Sequence, residues 1–82
     1  MSEWFNEEVA SLAFLRRCGH RVLLDKLEVV QPETRTIRAT YHIAGEPNVT
    51  RYIDMMCGGP SKIAEKARHM GELARRRAEV ML

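Results

Sequence analysis

Apolar residues recur along the chain with two periods, and each stretch marks an element. Between residues ~3 and 18, Phe5, Val9, Leu12 and Ala13 fall at helical spacing, with Trp4 and Leu15 beside them. Ser2 is the expected N-cap, because its hydroxyl can accept from an amide of the first turn. Glu3, Glu7 and Glu8 suit the positive end of the helix dipole, and Arg16 and Arg17 the negative end. Gly19 then stands where a left-handed residue closes a helix.

From ~21 to 56 the period shortens towards two. Residues ~21–30 read as a strand with split parity: Leu23, Leu27 and Val29 on one side, Val22, Leu24 and Val30 on the other, Asp25 between. Gln31-Pro32-Glu33-Thr34 makes a turn. Residues ~35–43 alternate cleanly, Ile37, Ala39, Tyr41 and Ile43 against Thr36, Arg38, Thr40 and His42, as a half-buried antiparallel strand does. After the loop 44–48, residues ~49–56 set Val49, Arg51, Ile53 and Met55 opposite Thr50, Tyr52, Asp54 and Met56.

Cys57-Gly58-Gly59-Pro60-Ser61 ends that strand, and Pro60 suits a first helical position, with Gly59 or Ser61 as cap. Residues ~61–81 carry the stripe Ile63, Ala67, Met70, Ala74, Ala78 and Met81. Short loops between successive strands favour a meander, and two helical stripes need one apolar sheet face. The expectation is therefore one α+β domain over 1–82, of order α-β-β-β-α. A three-stranded antiparallel sheet should carry both helices on one face.

Composition narrows the function. The 82 residues are 45% hydrophobic and 29% charged, which is ordinary for a globular chain and leaves room for one modest core. A net charge of +2 is a weak basic excess for nucleic-acid binding. Two cysteines, no apolar run of membrane length and no signal-peptide pattern suggest a cytoplasmic protein with free thiols and no membrane partner.

Several residues carry candidate chemistry. Cys18, His20, His42, Cys57 and His69 are possible zinc ligands, yet they lack the tight paired spacing of structural zinc sites. No metal or cofactor is expected. Cys57 precedes a helix start, where a thiolate is favoured, and His42 could approach it from the neighbouring strand. An ordinary strand-end cysteine is the preferred reading, so catalysis by Cys57 ranks third among the functions. Gly58 to Lys62 lacks the spacing of a nucleotide-hydrolysing phosphate loop, though small residues and a lysine at a helix start can hold one anion. On the second helix Glu65, Arg68, Glu72, Arg75 or Arg76, and Glu79 alternate in sign as a solvated face does. Lys62, Lys66 and His69, with Arg76 further along, form the stripe that could track phosphates.

The element order, with a final helix opened by Gly58-Gly59-Pro60-Ser61-Lys62, resembles the double-stranded RNA-binding domain. Ala64, Lys66 and Ala67 extend the likeness to that family's motif, while Ile63 stands at its second lysine. The resemblance implies an RNA- or DNA-binding module in which Lys62 and Lys66 contact phosphates, assisted by amides near Pro60 and Ser61.

The favoured reading is a non-enzymatic protein-binding module, a regulator or inhibitor that occludes a host protein. Phage and mobile-element proteins of that kind often have this size. Met55 and Met56 at a strand end, and Val80, Met81 and Leu82 at the terminus, are its expected interface, because methionine-rich apolar patches adapt to partners. The same C-terminal residues could pair with a second copy as a two-fold homodimer.

Overall fold

A computed structural model of the chain describes residues 4–58 and 62–80. It has the order α1 (Glu7–Cys18), β1 (Val22–Gln31), β2 (Thr36–Ile43), β3 (Arg51–Met56), α2 (Ile63–Val80). The sheet is antiparallel in the order β1-β2-β3, so β1 and β3 are both edges. The expected α+β architecture is present.

Helix α1 begins later than its sequence suggests. Asn6 is extended and accepts a 3.1 Å hydrogen bond from the Val9 amide through its side chain, which makes it the N-cap. Ser2, expected in that role, lies outside the described residues, as do Gly59, Pro60 and Ser61 at the expected start of α2. At the other end Gly19 takes a positive φ of 78° with an extended ψ of 171°, a conformation that suits glycine but lies outside the left-handed helical region expected of it.

The interrupted alternation of β1 has a structural cause. Val22 and Leu24 pair with Ile43 and Tyr41, whereas Leu27 and Val29 pair with Ala39 and Ile37. All four β2 partners belong to the core face. The register shifts between Leu24 and Lys26, so Asp25 is the extra residue of a bulge. The bulge switches parity in mid-strand, and both halves of β1 turn apolar side chains inward.

The core lies between that sheet face and the helices. Leu27, Ile37, Ala39 and Tyr41 are fully buried beneath Phe14 of α1 and Met70 of α2. Helix α1 packs on β1, and α2 on β3 and β1. The two helices meet closely at Gly71, where a Cβ would collide with the carbonyl oxygen of Phe14. Ala10 and Ala13 on α1, with Ala67, Ala74 and Ala78 on α2, keep the rest of the packed surface shallow.

The α1 stripe requires correction. Its buried residues are Ala10, Ala13, Phe14 and Cys18. Val9, Leu12 and Leu15 point away from the core and are 44%, 52% and 48% exposed. Larger side chains suggested the apolar face from the sequence, but the close approach of α2 admits small ones. The α2 stripe matches from Ile63 to Ala78, while Met81 lies outside the described residues.

Candidate interaction surfaces

The outward side of α1 exposes three large apolar side chains. Val9, Leu12 and Leu15 follow one another at intervals of three, and Glu8 and Arg16 flank them. Val9, Leu12, Ala13 and Arg16 continue into a groove of about 240 Å³, closed on its far side by Ala64 and Arg68 of α2. The sequence displayed this row of side chains but assigned it to the core.

Of the expected apolar interface, Met56 is 63% and Val80 85% exposed. Met55 instead packs against the core from the inner face of β3. Met81 and Leu82 lie outside the described residues. Met56 and Val80 stand at opposite ends of the β3–α2 flank, because Met56 closes β3 near the start of α2 and Val80 ends α2.

The basic stripe of α2 is accessible. Lys62, His69 and Arg76 are exposed and Lys66 is half-buried. Lys66 and His69 open onto a groove of about 360 Å³ with Arg17, Arg68, Glu65 and Glu72. Two carboxylates therefore share the groove with the cations. Arg76 is further tied to Glu72 at 3.6 Å.

Cys57 is half-buried after the end of β3, and its amide donates to the Arg35 carbonyl at 2.9 Å. Burial pushes its thiol pKa up, and the opposing pull of Lys66 and Arg35 is smaller. The imidazole considered as its base is elsewhere. Met56 pairs with Thr36 at one end of β2, whereas His42 lies six residues along, roughly 20 Å away at strand spacing. Burial likewise raises the Cys18 thiol. Neither cysteine has the lowered pKa of an activated nucleophile.

His42 has partners of its own on the outer sheet face. Its Nδ1 lies 2.5 Å from Oδ2 of Asp25, the bulge residue, and its Nε2 is 3.4 Å from Thr50 Oγ1. The imidazole thereby ties β1, β2 and the approach to β3 together. Further along the same face, Arg38 forks onto Asp54 at 2.7 and 3.0 Å and stacks 4.6 Å from the Tyr52 ring centroid. The Arg38 guanidinium holds the Asp54 carboxyl below its ordinary pKa, mainly through these hydrogen bonds. The polar side chains of this face pair across strands, and Leu23, Tyr52 and Met56 stand exposed among them.

Among the described residues, no group of three or more His, Cys, Asp and Glu side chains is placed to hold a metal ion. No helix among them is long and apolar enough to cross a membrane. No protein-family model, curated protein or solved structure matches the chain.

Proposed function

We propose that the chain is a small protein-binding domain and that the outward face of α1 is its contact surface. The observation that supports this reading is the exposed row Val9, Leu12 and Leu15 on a helix whose opposite side already completes the core. Apolar surface in water is unfavourable by ~25 cal/mol per Å², so a partner that covers the row gains from its burial. A helix whose exposed apolar residues succeed one another three apart, as Val9, Leu12 and Leu15 do, can lay that side in an apolar groove on another protein. Glu8 and Arg16 on the rim would set orientation more than affinity. A chain that covers a functional surface in this way acts as a regulator or inhibitor of its partner.

The test is affinity capture with three baits of equal thermal stability: the wild-type chain, Leu12→Glu with Leu15→Glu, and Met56→Glu with Val80→Glu. A protein retained by the first and third baits but lost from the second supports the α1 surface. Loss from the third bait alone moves the interface to Met56 and Val80.

Double-stranded RNA binding is the second reading, favoured by the exposure of Lys62, His69 and Arg76 along α2. Anisotropy of labelled duplex at ~50 and ~200 mM salt reads the phosphate contacts. Saturable, salt-sensitive binding lost in Lys62→Glu with Lys66→Glu would favour it over the protein-binding reading.

A further inference from the structure

The exposed side of α1 is laid out symmetrically about Leu12. Val9 and Leu15 stand three residues before and after it, and Glu8 and Arg16 four. All five side chains are exposed. The apolar positions mirror one another, and the charged positions mirror one another with opposite sign. At 1.5 Å and about 100° per residue, Glu8 and Arg16 lie roughly 6 Å to either side of Leu12 along the axis and within about 40° of it around the helix.

A two-fold axis through Leu12 carries this helix onto a copy that runs the opposite way. Leu12 then faces Leu12 of the second copy, Val9 stands level with Leu15, and Glu8 level with Arg16. An interface of this kind is isologous, with each contact made twice. A parallel arrangement would set Glu8 against Glu8 and Arg16 against Arg16.

We infer that the outward face of α1 pairs with the same face of a second copy of the chain, antiparallel about Leu12. The inference rests on the reading of α1 as the contact surface and goes beyond it: the free chain covers the row with its own copy, and a target has to displace that copy. The charges support the choice of occupant. On α2, Glu72 and Glu79 are bound by Arg75 and Arg76 within the helix. Glu8 and Arg16 enter no ion pair among the described residues, so each is open to a charge of the opposite sign on the second copy. The groove beside Val9 and Leu12, about 240 Å³ with the small Ala13 and Ala64 on its walls, leaves room for an aliphatic side chain from that copy. Three apolar side chains from each chain make a small interface, so the dimer should be weak, with a dissociation constant on the order of ~10–100 µM.

Sedimentation equilibrium of the full chain from ~5 to ~500 µM at ~50 mM salt tests the pairing, because self-association follows mass action and surface charges are little screened at that salt. The mass should rise from the 9.4 kDa of one chain towards twice that value. Glu8→Arg and Arg16→Glu should each weaken the dimer about tenfold, since each replaces two attractive pairs by two repulsive ones. The double variant Glu8→Arg with Arg16→Glu should recover to within about threefold of the wild type, because the exchanged charges again meet their opposites. Both reversals oppose the helix dipole, so Leu12→Gln serves as a variant without that cost, and it should be monomeric throughout with an intact circular dichroism spectrum. A wild type that is monomeric at every concentration would overturn the inference. So would a dimer that Leu12→Gln leaves intact, or single reversals that the double variant does not rescue. A monomeric wild type that still retains a protein through Leu12 and Leu15 would remove the self-pairing and keep the contact-surface reading. A dimer lost in Leu12→Gln, with no other protein retained, would confirm the self-pairing and remove the regulator.

Discussion

Helix α2 buries Ile63, Ala67, Met70, Gly71, Ala74 and Ala78 and turns charged side chains to solvent, whereas α1 buries Ala10, Ala13, Phe14 and Cys18 and leaves Val9, Leu12 and Leu15 in water. Both helices cover the same sheet face, so the fold alone does not demand the difference. In α2 the largest apolar groups and the core direction coincide. In α1 they diverge: the core takes small residues around one phenylalanine, and the larger aliphatic ones face outward. On the proposed reading, the apolar surface that the core does not use makes α1 the contact helix and α2 its support.

The largest test of that contrast compares the two sides of α1. Phe14→Ala should cost about 3–5 kcal/mol in urea denaturation, because it empties a fully buried aromatic site. Leu12→Ala, on the outer side, should stay within about 0.5 kcal/mol. Equal losses would place Leu12 in the core. Next comes the contact between the helices. Alanine is the better helix former by about 1 kcal/mol, yet Gly71→Ala should lower stability by about 1–3 kcal/mol, since the added methyl meets the Phe14 backbone. A rise in melting temperature would show that α1 and α2 stand further apart. Asn6→Ala removes the cap of α1 and should cost about 1 kcal/mol in urea denaturation.

The smallest effect belongs to the sheet. The Asp54 carboxyl has a folded pKa below its ordinary 3.8, so its contribution is present above that value and fades as the pH falls through the lowered one. Acid denaturation of Asp54→Asn should therefore start from a slightly lower stability at neutral pH and converge on the wild type in acid. A constant difference down to pH ~2 would mean that the Arg38–Asp54 fork contributes nothing through charge.

These contrasts also show what a sequence can carry. The alternation of β2 and the stripe of α2 were legible because each element has one wet and one dry side. The α1 face was misread because hydrophobicity ranks leucine above alanine, while the close contact at Gly71 selects for size. No local pattern in α1 announces where α2 comes near. The split parity of β1 was visible as two apolar sets, but only pairing with β2 locates the extra residue. Among the surfaces, exposure of Lys62, His69, Arg76, Met56 and Val80 agrees with their polar or terminal positions.

The bulge at Asp25 gives β1 something like a frameshift written into its geometry. Removing that one residue would put the two halves of the strand back into a single frame. Val22, Leu24, Leu27 and Val29 would then share one parity and all face the core in an unbroken ladder with β2. Deleting Asp25 should therefore be tolerated much as replacing it is, each losing the link to His42 but keeping the core face of β1.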